Sequence, residues 1–488
     1  MTSFLIALAV LIGGYFIYGS VVERILKVDP SREVPATRLR DNVDYMPMPT
    51  WKVFLIQFLN IAGLGPIFGA IMGVTFGPAA FLWIVLGTIF AGAVHDFVSG
   101  YVSLRSDGAS LPEIVGQQLG LPVRQVMRIF SVVLLLLVTA VFAYTPAQLI
   151  ASLTPAALNA DFWLIVIFAY YILATILPID KVIGKFYPVF GFALLFMAVG
   201  IMAVMMFSPD VSLNINLLDA ATNHSPDPSL RPIFPMMFVS IACGAISGFH
   251  ATQSPMMARC LKNERLARPV FYGAMVAEGI VALIWAAAAI AFTGGYENVS
   301  DYMSSHSGGA GTLVSDISIT WLGTFGGILA ILGVVAAPIT TGDTALRSAR
   351  LIVADFMHVK QVKLVKRLIV AIPLCAVVAF LMMIDFNVLW RYFAWSNQTL
   401  ATFTLWAVTV YLARHKANYL ITLIPAMFMT MVSVSYLLMA PSPEGFGLPL
   451  ILSLCISAAV ALGLTALFAS KVKSLSASAA LPQPEASH

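Results

Sequence analysis

The chain has 488 residues, of which 60% are hydrophobic and only 10% charged, with a formal net charge of +4 and a mean hydropathy of +0.91. Soluble globular proteins carry about 25% charged residues. The composition therefore excludes an ordinary soluble enzyme and predicts an all-α polytopic protein whose main solvent is the lipid bilayer.

A transmembrane helix needs about 20 mainly apolar residues. Thirteen stretches qualify in chain order: 3–22, 53–74, 79–103, 126–147, 161–178, 186–207, 233–250, 270–293, 318–341, 365–384, 389–412, 419–439 and 448–469. The first begins Met-Thr-Ser-Phe, with no basic lead and no small-residue cleavage site, and reads as a retained anchor. The connections 23–52, 208–232, 294–317 and 342–364 are too short for a soluble domain, so residues 1–470 form one membrane domain. The tail, 471–488, ends "SLSASAALPQPEASH" and is expected to be a disordered cytoplasmic segment. Cys243, Cys260, Cys375 and Cys455 lie in or beside apolar runs without metal-ligand spacing and read as small core residues; no metal or cofactor is indicated.

Lys and Arg concentrate in cytoplasmic loops. Alternate connections hold 25 of the 27 basic residues, while the other set holds only Arg231 and Arg391. The alternation supports thirteen crossings, with the N-terminus outside and the C-terminus in the cytoplasm. It also gives the net charge a membrane-sidedness meaning and no nucleic-acid one.

Span 2 contains "FLNIAGLGPIFGAIMG", in which Asn60, Gly63, Gly65 and Pro66 interrupt an apolar helix. Span 7 and its exit read "MFVSIACGAISGFHATQSP", with Gly244, Ser247, Gly248, His250, Thr252, Gln253, Ser254 and Pro255. Lipid tolerates a broken helix only where protein or a cavity covers the freed backbone. The two breaks are five spans apart, an odd number, so the second unit enters the membrane from the opposite face. Paired breaks in inverted halves point to a secondary transporter's binding site. Residues 53–207 and 233–412 are then two inverted five-helix repeats resembling the leucine-transporter fold. The helix 3–22 lies in front of them and 419–469 behind. Half-helix N-termini suit a substrate's anionic group and exposed carbonyls suit a cation. Tight helix packing is the simpler reading of Gly69 and Gly73.

Charges in membrane spans mark pathways or relays. Glu278 stands in "AMVAEGIVALIWAAAA" and fits either a proton carrier or a structural, protonated carboxyl. His95 and Asp96 lie toward the cytoplasmic end of span 3, where Gly92, Asp96, Ser99 and Ser103 share a helical face. That stripe either lines a passage or packs near the interface, with Asp96 paired to Arg105. In "VVAAPITTGDTALRSAR", Pro338 and Gly342 are expected to loosen the end of span 9. Thr340, Thr341 and Asp343 gather oxygens there that suit a hard cation, with Ala62 of the first break. Asp343 also reads as a helix cap. Asn397 and Gln398 of "WRYFAWSNQTLA" are amides that need partners at membrane depth.

Ser247 and His250 in "GAISGFH" look superficially like a nucleophile and its base. Position 245 is Ala, so the Gly-x-Ser-Gly of rhomboid-type proteases is absent, as are His-Glu-x-x-His and a Thr-Val-Gly-Tyr-Gly filter. An intramembrane enzyme or a potassium-type channel is disfavoured.

Five ordered segments resemble the carbon-starvation protein family (CstA): "IAGLGPIFG", "AGAVHDFVSGYVSLRSDGASLPEIV", "ACGAISGFHATQSPMMARCLKNE", "PITTGDTALRSAR" and "FAWSNQTLA". His95 departs from the Gln of well-known members, "HATQSPMMARC" departs from their "HALISSGTT"-like run, and the chain is shorter. The resemblance implies nutrient import across the bacterial inner membrane when carbon is scarce, with proton-driven transport of pyruvate or short peptides as the leading reading and a sodium-coupled carrier of another small carboxylate or amino acid as the alternative.

Overall fold

The computed structural model describes residues 1–41, 45–152, 154–155, 157–176, 179–306, 309–359 and 364–479, and every regular element among them is helical. The first half comprises α1 (Thr2–Leu26), α2 (Thr50–Ile61), α3 (Gly65–Phe76), α4 (Ala79–Arg105), α5 (Leu121–Ser152), α6 (Ala160–Ile176) and α7 (Ile179–Phe207). The second comprises α8 (residues 233–240), α9 (Gly248–Ala258), α10 (Glu264–Thr293), α11 (Tyr296–Ser305), α12 (Ala310–Ala330), α13 (Ala336–Phe356), α14 (Leu364–Leu381) and α15 (Phe386–Arg414). Two further helices follow, α16 (Leu420–Met439) and α17 (Leu450–Ala479).

Among the described residues nine helices are long and apolar enough to span a bilayer, or ten when α2 and α3, bent by 55° at their break, count as one. Besides that pair, four expected stretches depart from a single long apolar helix, each for a physical reason. Stretch 161–178 is the shorter apolar helix α6. Stretch 233–250 is interrupted between α8 and α9. Within 318–341 the chain turns at Gly323, where φ is +63°, a left-handed value that glycine adopts without strain. A Cβ on Gly326 would lie 2.1 Å from the Ser318 carbonyl, so the chain doubles back there and a new helix continues through α13. The 389–412 stretch is helical throughout α15 but diluted by Arg391, Asn397 and Gln398.

The expected tail departs too. α17 runs on to Ala479, and residues 480–488 lie outside the described residues, as do Lys360 and Lys363 of the basic connection. Cys243, Cys260 and Cys375 are buried, but Cys455 is exposed on α17.

Connections with the same charge character touch one another. The N-terminal ammonium donates to the Leu213 carbonyl at 2.6 Å, the His224 N–H to Phe76, and Arg391 pairs with Glu444 at 2.6 Å. At the other end the Met48 N–H donates to Cys260, Arg38 pairs with Asp107, and Arg414 reaches the Gln117 carbonyl. The basic connections around Arg38, Asp107, Gln117, Cys260 and Arg414 therefore meet at one end of the bundle, and Arg231 and Arg391 lie at the other. Single cysteines at the exposed Ser305 or Ser442 should react with an impermeant thiol reagent added outside intact cells, and one at the exposed Lys262 should not. The reverse pattern contradicts this sidedness.

Candidate functional site

The two breaks meet. α2 ends at Ala62 (φ −82°, ψ 54°) and α8 ends at Ile241 (φ −87°, ψ 59°), nearly the same tight bend in both halves. The paired strands of broken helix run antiparallel: the start of α2 lies beside Cys260, just after α9, and Phe76 at the end of α3 lies beside Arg231, just before α8. At the crossing, a Cβ on Gly65 would sit 2.2 Å from the Cys243 Cβ, and one on Gly69 2.9 Å from the Ser240 carbonyl. A Cβ on Gly248 would fall 2.3 Å from the Ala401 nitrogen of α15, and one on Gly63 2.5 Å from the Phe142 ring. Gly244 faces Ala282 and Pro66. Sequence reasoning aimed the Gly65 and Gly248 backbones at a solute; in this conformation their open faces are filled by neighbouring helices.

Freed backbone at the second break is taken up by side chains from α4 and α15. Asn397 Nδ2 donates to the Ala242 carbonyl at 2.8 Å, while its Oδ1 accepts from the Phe249 N–H at 2.8 Å and the Ser247 hydroxyl at 2.9 Å. One amide thus joins the last turn of one half-helix to the first turn of the other. Gln398 Nε2 donates to the Phe238 carbonyl at 2.9 Å and the Thr88 hydroxyl to Gly244 at 3.1 Å. At the first break the Thr341 hydroxyl is shared between the Leu59 and Ala337 carbonyls, and the Thr340 hydroxyl donates to Ala337. Asn60, beside Ala62, is buried with neither amide atom hydrogen-bonded, and Gln253 Oε1 is also unpaired.

Beside the second break four ionisable side chains form a chain with no exposure to solvent. Asp96 Oδ1 lies 2.7 Å from His95 Nδ1, and its Oδ2 lies 2.8 Å from His250 Nδ1. His250 Nε2 lies 3.4 Å from Glu278 Oε2. The links come from α4, α9 and α10, and all four residues are 0% exposed. A carboxylate flanked by two Nδ1 atoms accepts from both, which leaves each ring's Nε2 for a second partner. For His250 that partner is Glu278, just beyond normal hydrogen-bond length, so a small rotation closes the link. One proton can then reside on either atom. His95 Nε2 has no hydrogen-bond partner.

Several expectations are corrected by these contacts. Arg105 pairs with Glu264 at 2.6 Å, so Asp96 is left to the two histidines. Glu278 faces an imidazole, because the break carries His250 to it. Asp343 is also not a cap: it sits buried inside the unbroken helix α13, with Tyr170, Arg347 and Arg350 around it. Pro338 and Gly342 do not loosen that helix; the irregularity lies earlier, at Gly323 and residues 331–335.

Two cavities open at the end carrying the 208–232 connection. One of about 620 Å³ is lined by Phe68, Thr75, Thr145 and Asp385 among others, and one of about 960 Å³ by Phe76, Ser240 and Tyr436 among others. They share Met72, Arg231 and Trp390. None of the residues expected to bind substrate lines either cavity. The cavity walls carry no motif, but Arg231 already stood out as a basic residue in the wrong set of loops.

The model of the carbon starvation protein CstA family matches residues 1–160, 151–321 and 302–436. The chain belongs to that family. It is 42% identical over 359 residues to an uncharacterised membrane protein of Haemophilus influenzae, covering 64% of this chain and 96% of the other. It is 29% identical to the peptide transporter CstA of Campylobacter jejuni, over 56% of this chain and 47% of that protein. The pyruvate/proton symporter BtsT of Escherichia coli is 26% identical, over 54% of this chain and 45% of that protein. The chain thus spans about half the length of these two named relatives. In fold it is similar to a manganese transporter of Eremococcus coleocola, with a TM-score of 0.51 at 14% identity, over 90% of this chain and 99% of that one. Among the described residues no three His, Cys, Asp or Glu side chains are arranged to hold a metal ion.

The geometry of the breaks separates two glycines. Gly65→Ala should lower thermal stability and Cys243→Gly should rescue it, because the obstacle is a side chain. Gly248→Ala should not be rescued by side-chain trimming, because its obstacles are the main chain of α15. Asn397→Leu leaves a carbonyl and an N–H unpaired at about 1–3 kcal/mol each, and should destabilise more than Gln398→Leu. Melting curves of the purified variants check all of this.

Proposed function

We propose that the protein is a proton-coupled secondary transporter that imports a small carboxylate-bearing nutrient, pyruvate or a short peptide, across the bacterial inner membrane. The observation that carries this reading is the fully buried chain His95–Asp96–His250–Glu278 beside the second break. Asp, Glu and His chains within membrane spans are typical of proton relays. Its members sit on three separate helices, so relative movement of α9 against α4 or α10 makes and breaks the links.

Three features support alternating access. The bends at Ala62 and Ile241 correspond, and each is followed by a Gly-x-x-x-Gly, Gly65–Gly69 and Gly244–Gly248. The two broken helices run antiparallel, as inverted repeats of the leucine-transporter type require. This reading takes the chain to cross the membrane thirteen times, with the N-terminus outside and the C-terminus in the cytoplasm, as the loop charges suggest. The Asn60 amide and Gln253 Oε1 are polar groups near the breaks that a solute can engage. Proton coupling is favoured over sodium because the buried acid–base chain holds transferable protons.

A pH unit is worth about 1.4 kcal/mol, so one coupled proton drives about tenfold accumulation per unit imposed. Wild-type proteoliposomes should concentrate labelled pyruvate or a labelled dipeptide under a pH gradient alone. Glu278→Gln keeps the shape of the side chain but cannot release a proton. It should abolish accumulation yet retain exchange of internal for external substrate. Accumulation by Glu278→Gln under a pH gradient, or by the wild type only under a sodium gradient, overturns the proposal.

A further inference from the structure

Positive charge is disfavoured in the outer connections of a membrane protein, and this chain places only Arg231 and Arg391 there. The two exceptions have different fates. Arg391 is neutralised by Glu444, which its Nε meets at 2.7 Å and its Nη2 at 2.6 Å. The Arg231 guanidinium lies over the Phe76 ring, 4.9 Å from its centre, and among the described residues it forms no ion pair.

The loop is built to hold Arg231 in place. Its N–H donates to the Asp227 carbonyl at 2.8 Å, and its own carbonyl accepts from Asn223 Nδ2 at 2.7 Å and from the Ser225 hydroxyl at 3.2 Å. Asp227 in turn accepts from Ser229 and Leu230, which fixes the turn before it. The side chain so positioned lines both outer cavities, together with Met72 and Trp390. Burial lowers the pKa of this guanidinium, and the ionisable neighbour acting on it is the Tyr436 phenol rather than a carboxylate. Arginine nevertheless stays charged. The result is a fixed cation on an aromatic face at the junction of two half-apolar cavities, an arrangement that recognises a planar anion through two parallel N–H donors.

We infer that Arg231 is the outer capture site of the protein, binding the carboxylate of an incoming substrate before it reaches the breaks. The inference rests on the transport reading for the substrate's onward path. A carboxylate is common to free pyruvate and to a peptide C-terminus, and the two cavities leave room for either. Met72 and Phe76 on α3 place the captured anion directly above the first broken helix. The cavities also hold Asp385 and Glu444, the latter paired with Arg391, so capture rests on direct contact with the Arg231 guanidinium rather than on a field of one sign.

The test uses the full-length protein in nanodiscs and proteoliposomes. Binding of pyruvate, of diglycine and of C-amidated diglycine is measured by calorimetry for wild type, Arg231→Gln and Arg231→Lys. The loss of one charge-assisted pair predicts that Arg231→Gln weakens the carboxylate ligands by about tenfold or more, with Arg231→Lys in between. The amidated peptide should bind weakly to all three, and the carboxylate ligand that binds more tightly names the source. In transport, KM should rise in Arg231→Gln while kcat stays within about twofold. Unchanged carboxylate affinity in Arg231→Gln, or equal binding of free and amidated diglycine, overturns the inference even if transport is intact. Arg231-dependent binding without uptake by the wild type overturns the transport reading and leaves the capture site standing. A folded Arg231→Gln, shown by an unchanged melting curve, excludes mere loss of the Phe76 contact.

Discussion

Lipid cannot hydrogen-bond a broken helix, and the rest of this structure follows from that constraint. Two helices are broken, and each break is covered by protein rather than exposed. Glycines let the breaks approach until Gly65 meets Cys243, and Asn397 bridges the ends of α8 and α9. The cost of two interruptions is offset by donors and acceptors from α4, α13 and α15. The same arrangement makes the region a junction between separate rigid pieces. Such a junction can switch between discrete packings more readily than it can deform.

The charged groups follow a similar economy. A single carboxyl in lipid is costly, whereas an acid–base chain shares its protons and needs no water. Asp96 stands between two imidazoles, and Glu278 faces the free nitrogen of one of them. His250 is the hinge between break and chain, since it lies in the first turn of α9, right after the non-helical segment. Its main-chain neighbour Phe249 is held by Asn397. Any movement that repositions α9 therefore moves an imidazole relative to two carboxyls. That is how a rearrangement around substrate can be tied to the transfer of a proton.

Much of this was legible in the residues, and what was not shares one cause. The two interruptions were visible because Gly, Pro and polar side chains are poor material for an apolar helix. The repeated Gly-x-x-x-Gly was equally readable and would have aligned the two breaks. Glu278, Asp96, His95 and His250 stood out as ionisable groups, but not as one chain, because Asp96 and His250 are 154 positions apart. Arg105 is close to Asp96 in sequence and its true partner, Glu264, is 159 positions away. Asn397 read only as an amide in need of partners, because those partners are main-chain groups that only a break sets free. The two cavities were hidden for another reason: their walls come from scattered loops and helices and carry no motif, and a basic residue out of place was the sign of them.

The central claim is that protons enter through this buried chain together with substrate. The most direct measurement is the pH inside sealed, sodium-free proteoliposomes holding a trapped pH-sensitive dye, recorded while substrate is added outside. The account predicts that the interior acidifies in step with entry of labelled substrate, at a fixed ratio over a range of substrate concentrations. Substrate entry with no change of internal pH would contradict it.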